Sequence, residues 1–324
     1  MRLRKPEDAA GSGRRVGGPR SWLARYGLMV ALVGLCALLA WITPAFLTLQ
    51  NWIILVRQIS INGILAVGVT FVLLTGGVDL SLGSMVALTG VVAACFAHPG
   101  EVPLAVPLVI GVATGALGGT VNGLVITLGR VAPFIVTLGM MTVARGLALV
   151  ISGGKPVSNL SSSFTAIGRR DWLGVPIPIV ILIIVSALSY LMLIHTRLGR
   201  YIYAVGGNEN AARAAGIKVS AVKTTAYAIC GALAGLAGIV LASRITTGQP
   251  NAGLAYELDA IAAVVIGGTS LSGGTGGVGG TLLGALLMGV INNSLDLLNV
   301  SSYYQQIVKG IIIVSAVWLD RSEK

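Results

Sequence analysis

From Leu28 almost to the C-terminus the chain is a succession of long apolar runs separated by short polar breaks. An α-helix needs about 20 such residues to cross a bilayer. The runs are continuously apolar instead of alternating, which selects helices over a β-barrel, because in hydrocarbon every backbone amide must be satisfied inside a helix or a closed sheet. Composition agrees: 10% of the residues are charged, against roughly 25% in a soluble domain. The expected fold class is an all-α polytopic membrane protein.

The runs place about ten transmembrane helices near 28–47, 53–75, 80–98, 104–127, 132–152, 176–195, 225–245, 256–271, 278–298 and 303–320. An even number puts both termini on one side. Residues 1–27 read as a basic, unstructured cytoplasmic arm, 28–320 as the membrane domain with a cytoplasmic polar loop at 196–224, and 321–324 as a cytoplasmic tail. No small-x-small cleavage site follows the first run, so it reads as a retained span. Cys36, Cys95 and Cys230 fall inside apolar runs without metal-type spacing and read as packing residues.

A net charge of +11 could suggest nucleic acid, but its distribution excludes that reading. Arg2, Arg4, Lys5, Arg14, Arg15, Arg20 and Arg25 precede the first run, and Arg197, Arg200, Arg213, Lys218 and Lys223 share one loop. Basic clusters at the ends and in one loop are the signature of cytoplasmic segments beside membrane spans. The 153–175 loop, with Lys155, Arg169 and Arg170, runs mildly against the trend.

The 45 glycines concentrate within or beside the runs, as in "GALGG" (115–119), "GALAGLAG" (231–238) and "GGTGGVGGTLLGALLMG" (273–289). Small residues at helical spacing let helices approach closely in lipid, where burial of apolar surface drives little association. "GGVDLSLG" (76–83) and "GGTSLSGG" (267–274) share the pattern G-G-x-x-L-S-x-G. Gly-interrupted apolar segments in corresponding halves of a chain often mark a solute pathway.

Between Ile53 and Ala97 the only charged residues are Arg57 and Asp79. An acid at mid-bilayer costs about 2.5–3.5 kcal/mol on insertion scales, so Asp79 belongs at a helix break or a wet cavity. Its carboxylate can cap the following helix through the amides of Ser81 or Leu82, with Gly76 and Gly77 turning the chain before it. A place on a translocation path is the other reading. Asn62, Asn122, Asp259, Asn292, Asn293 and Asp296 also lie in or at the ends of spans. Interhelical hydrogen bonding and contact with a polar solute both account for such residues.

Enzymatic readings find no support. His98 and His195 match no metal motif, no G-x-S-x-G occurs, and "SGGKP" (152–156) puts Pro156 where a P-loop requires Ser or Thr. No residue of this chain is assigned to catalysis or to a metal. If ATP drives the protein, another chain binds it.

The polar loop "HTRLGRYIYAVGGNENAARAAGIKVSAVKT" (195–224) contains a short soluble helix. Asn208 suits the N-cap, Glu209 the positive end of the helix, and Gly216 the terminating turn. Such a helix outside the bilayer has the form of a plug for another protein's groove.

"FVLLTGGVDLSLGSMVALTG", "TRLGRYIYAVGGNENAARAAGIKV" and "IGGTSLSGGTGGVGGTLLGALLMGVINN" resemble the permease subunit of bacterial ribose-type ABC sugar importers. The resemblance runs from about Asn51 to Asp320. It implies a multi-pass protein of the bacterial inner membrane with no cofactor of its own. The implied partners are a second permease copy, a cytoplasmic ATP-binding cassette protein holding ATP and Mg, and a periplasmic or lipid-anchored sugar-binding protein. Gly199, Gly206, Gly207, Asn208, Glu209, Ala211, Ala212 and Gly216 fit the family segment that couples permease to ATPase; Asn210 stands where the family usually has alanine. The candidate path or helix-break residues are Asn62, Gly76, Gly77, Asp79, Ser81, Asn122, Asp259 and Asn292. Competing readings are an ABC permease for a nucleoside or branched amino acid, and an ion-coupled secondary transporter using Asp79.

Overall fold

The computed structural model describes residues 19–100 and 102–322. The expected arm at 1–27 lies outside the described residues up to residue 18, and residues 323–324 of the tail lie outside them too. The helices are α1 (Pro19–Ile42), α2 (Leu49–Leu74), α3 (Leu82–Cys95), α4 (Ala105–Leu128), α5 (Pro133–Ser152), α6 (Ser162–Arg169), α7 (Ile177–His195), α8 (Arg197–Gly207), α9 (Glu209–Ala214), α10 (Val219–Ile245), α11 (Tyr256–Ile266), α12 (Val278–Leu297) and α13 (Ser302–Ser322). A 3-10 turn (Pro44–Leu47) and a hairpin of two two-residue strands, β1 (Asp171–Trp172) and β2 (Val175–Pro176), complete the order. Every expected span has a helix.

Their lengths depart from the expectation in two places. Six helices among the described residues, α2, α4, α5, α7, α10 and α12, are long and apolar enough to cross a membrane. α3 has 14 residues and α11 has 11, about 21 and 16 Å at 1.5 Å per residue, short of the ~30 Å hydrocarbon core. The expected spans 80–98 and 256–271 ran through the residues that break these helices. Three other boundaries also shift. α1 begins at Pro19 inside the expected arm, α10 begins at Val219 inside the expected loop, and α13 continues to Ser322.

α2 is the central helix: every residue from Ile59 to Leu74 is buried. One apolar cluster joins α2 to α3, α10, α11 and α12. α5 and α7 turn most of their large apolar residues outward, among them Phe134, Ile135, Val150, Ile183 and Leu188, as helices lying against lipid do.

The closest packing is the crossing of α4 with α10, built by two glycine pairs. A Cβ on Gly115 would strike the Gly231 carbonyl and come within 2.9 Å of the Gly235 Cα, and one on Gly119 would strike the Tyr227 carbonyl. The small-residue runs read from the sequence thus face each other with backbone against backbone.

At one end of the bundle α6 is held by Ser243, whose Oγ accepts from Gly168 N and donates to Phe164 O, both at 2.6 Å. Val157 pairs with Gly248, and Arg57 meets Asp171 at 2.8 Å at the same end. The opposite end carries α8, α9 and the turns that follow α2 and α11.

Replacing Gly119 by valine is expected to lower stability by about 1–3 kcal/mol, the range for overpacking a full interior. Gly139 of α5 has open space around it, so alanine there is expected to be neutral or to stabilise by up to about 1 kcal/mol. Thermal unfolding of both purified variants in one detergent checks the pair.

Candidate functional site

The two G-G-x-x-L-S-x-G segments meet. After α2 the chain turns at Gly76, whose φ of +73° favours glycine, with Gly76 N on Leu73 O at 2.8 Å and Gly77 N on Val72 O at 3.2 Å. After α11 it turns through 267–277, where Ser270 N reaches Thr275 O at 3.1 Å. The two turns are joined directly: Gly274 N donates to Leu74 O at 3.0 Å. A Cβ on Gly273 would lie 2.8 Å from Gly76 N. The order of parts differs, since the first break precedes a short helix and the second follows one.

Asp79 sits inside this junction, 1% exposed. Its Oδ1 accepts from Ser81 N at 2.9 Å and from Ser81 Oγ at 2.6 Å, forming the turn that starts α3. Asn122 Nδ2 of α4 donates to Ser81 Oγ at 3.1 Å, and Tyr227 of α10 donates its hydroxyl to Val78 O at 3.1 Å. The expected capping role is met only in part: Ser81, not Asp79, is the N-cap of α3, which has no side-chain cap, and Asp79 instead holds the turn that leads into it. Asp79, Ser81 and Asn122, singled out separately in the sequence, form one network. Tyr227 was missed, because a tyrosine among glycines and alanines carries no motif.

The segment 196–216, expected to couple to a partner, lies against the same junction. Thr196 Oγ1 caps α8 by accepting from Gly199 N at 3.2 Å, and Gly199 is required because a Cβ there would strike Leu193 O. At the far end of α8 a Cβ on Gly206 would strike Leu74 O, the carbonyl that Gly274 N also uses. Tyr203 donates to Gly276 O at 2.9 Å, a second tie to the break. Gly207 has open space.

α9 follows at once. Asn208 Oδ1 caps it through Ala211 N at 3.0 Å, and Gly216, at φ +84°, ends it with Ile217 N on Ala212 O at 3.0 Å. The expected loop helix, opened by Asn208 and ended at Gly216, is α9, and a further helix, α8, precedes it and meets it at Asn208. Ala212 is buried in a cluster with Val205, Val219 and Val222, whereas Asn210, Ala211, Arg213 and Ala214 are exposed. Glu209 bonds Lys223 at 2.6 Å and Arg213 at 2.9 Å. Chiefly through the Lys223 hydrogen bond, its carboxyl is held below the usual carboxylate range. Stability from these pairs is complete above the unfolded carboxylate pKa of about 4.3 and is lost only as pH falls through the lowered folded value.

Asp259 and Asn292 lie in a separate cluster. Asp259 Oδ2 accepts from Lys309 Nζ of α13 at 2.8 Å, and Asn292 Nδ2 of α12 lies 3.5 Å from the same oxygen. Lys309 had been placed only by its span. Asn293 instead exchanges hydrogen bonds with Asn51 at 2.8 and 3.1 Å, and Asp296 accepts from Gln305 at 2.8 Å. Asn62 is buried in α2 and belongs to neither network.

Replacing Gly206 by alanine is expected to lower stability by about 1–3 kcal/mol, because neither backbone at that contact can give way. The same change at Gly207 is expected to stay within about 0.5 kcal/mol. Thermal unfolding of the two purified variants makes the comparison.

Residues 51–317 match the family described as branched-chain amino acid transport system / permease component. The chain is 48% identical to the ribose import permease protein RbsC of Escherichia coli (strain K12), over 97% of this chain and 98% of that one. Against the protein of the same name from Bacillus subtilis (strain 168) the identity is 48%, over 93% and 94%. The L-arabinose transport system permease protein AraH of Escherichia coli (strain K12) is 40% identical, over 92% and 90%. No solved structure matches the chain.

Proposed function

From the premise that this chain belongs to the family of branched-chain amino acid transport system permease components, we propose that it is the membrane subunit of an ATP-driven sugar importer. It is a multi-pass protein of the bacterial inner membrane, and the solute it passes is ribose or a similar monosaccharide. The observation that carries this reading is the 48% identity to ribose import permeases along nearly the whole of both chains. The arabinose and allose permeases at 40% and 37% identity point to the same solute class. The family description names branched amino acids, so labelled leucine is the control solute.

Ten helices, all but α6, α8 and α9, cross or partly cross the bilayer, with both termini on the α9 side. That side is cytoplasmic. It carries the basic N-terminal segment, Arg130, Arg197, Arg200, Arg213 and Lys218, in keeping with the bias of cytoplasmic loops toward Lys and Arg. Lys155, Arg169, Arg170 and Arg244 are then external.

Two copies of the chain form the path, a cytoplasmic partner supplies the ATP and Mg sites, and a periplasmic or lipid-anchored binding protein delivers the sugar. α9 enters a groove of the ATP-binding partner with Asn210, Ala211, Arg213 and Ala214. Closure of that partner on ATP moves α9, and α8 passes the motion through Gly206 and Tyr203 to the breaks beside α3 and α11. Sugar and ATP act on one equilibrium between inward- and outward-open states, each by its differential affinity for the two.

Capture of the ATP-binding protein encoded beside this gene tests the reading. Ala211→Arg with Ala214→Trp alters only the exposed face of α9, and capture is expected to fall at least tenfold against wild type. The buried Ala212 would be a poor choice, since its loss would unfold the segment under study. Equal capture by both proteins would move the docking surface elsewhere.

A further inference from the structure

Where α11, α12 and α13 converge, Asp259 is 3% exposed and Asn292 2% exposed. Lys309 is bonded to Asp259 at 2.8 Å. Removing two charges from water costs about as much as their attraction returns, and a well-packed apolar pair of similar size stabilises as well or better. Stability alone therefore does not explain this pair.

Its hydrogen bonding is also incomplete. Among the described residues, Asp259 Oδ1 and Asn292 Oδ1 are buried without any donor. Such atoms are rare in folded proteins and are expensive in a low-dielectric interior. Asn292 Nδ2 lies 3.5 Å from Asp259 Oδ2, beyond the usual range for N–H···O, so the amide is not committed there. The Lys309 ammonium carries three N–H groups, and only one is used toward Asp259.

The cluster thus offers two acceptor oxygens without a donor among the described residues, beside the Lys309 ammonium. A pair of adjacent hydroxyls complements that set, since each hydroxyl donates one hydrogen and accepts through its lone pairs. We propose that Asp259, Asn292 and Lys309 form a binding site for the vicinal hydroxyls of a monosaccharide during its passage. This deepens the importer reading and rests on it.

The test uses vesicles containing the permease with its ATP-binding and binding proteins, with labelled D-ribose outside. One variant is Asn292→Leu, which leaves the ion pair in place. The other is Asp259→Leu with Lys309→Leu, which removes both charges together. Uptake is expected to fall at least tenfold in both, with a raised KM for Asn292→Leu. ATP hydrolysis stimulated by the loaded binding protein is expected to stay within twofold of wild type.

Uptake within twofold of wild type in the double variant would overturn the site while leaving the importer intact. A parallel fall of uptake and ATP hydrolysis in Asn292→Leu would also overturn it, by marking the residue as structural. A wild-type complex that hydrolyses ATP yet moves no sugar would bring down the importer reading, and this site with it.

Discussion

A backbone amide inside a membrane has no water to bond, so a helix can be interrupted only where protein supplies the missing partners. The structure turns sharply after α2 and after α11, and the partners come from the other break and from α8 and α10. Leu74 O, left over at the end of α2, accepts from Gly274 N of the second break. Val78 O of the first break accepts from Tyr227, and Gly276 O of the second from Tyr203. Asp79 satisfies the first amide and the hydroxyl of Ser81. The short helices α3 and α11 are tolerable because these bonds exist.

The same bonds decide how motion would travel. Side chains absorb small displacements by changing rotamer, but carbonyls and glycine Cα atoms in contact cannot. Gly206 rests on Leu74 O, and Gly274 uses that carbonyl from the other side. α8 therefore touches both breaks at once, beside the short helices α3 and α11.

Much of this was legible in the sequence. A helix at each of the ten apolar runs could be read from run length, and the close-packing character of α4 and α10 from glycine spacing, because both follow from composition along a single helix. The caps at Asn208 and Gly216 were legible for the same reason, being local. Helix length near the breaks was not read: α11 stops at Ile266 on a local turn, with Gly268 at φ +85° and Thr269 N on Val264 O at 3.1 Å, a glycine signal that the apolar run length overrode. Nor could spacing pair Asp79 with Asn122, or Asp259 with Lys309, since each pairing joins distant segments through tertiary packing.

The two buried acids separate by how fully their neighbours occupy them. Asp79 turns one oxygen to two donors from Ser81, and that hydroxyl is fixed in turn by Asn122. Its hydrogen bonds hold the turn just before α3, which gives it a structural role at the break. Asp259 is different. It lies in the first turn of α11, but its Oδ1 has no donor among the described residues, and the Asn292 Oδ1 is equally unfilled. A sequence reading weighs both acids alike, because each lies beside a long apolar run, Asp259 two residues after Glu257. Hydrogen bonding tells them apart: Asp79 is held by the turn it belongs to, whereas Asp259 Oδ1 is left without a donor among the described residues.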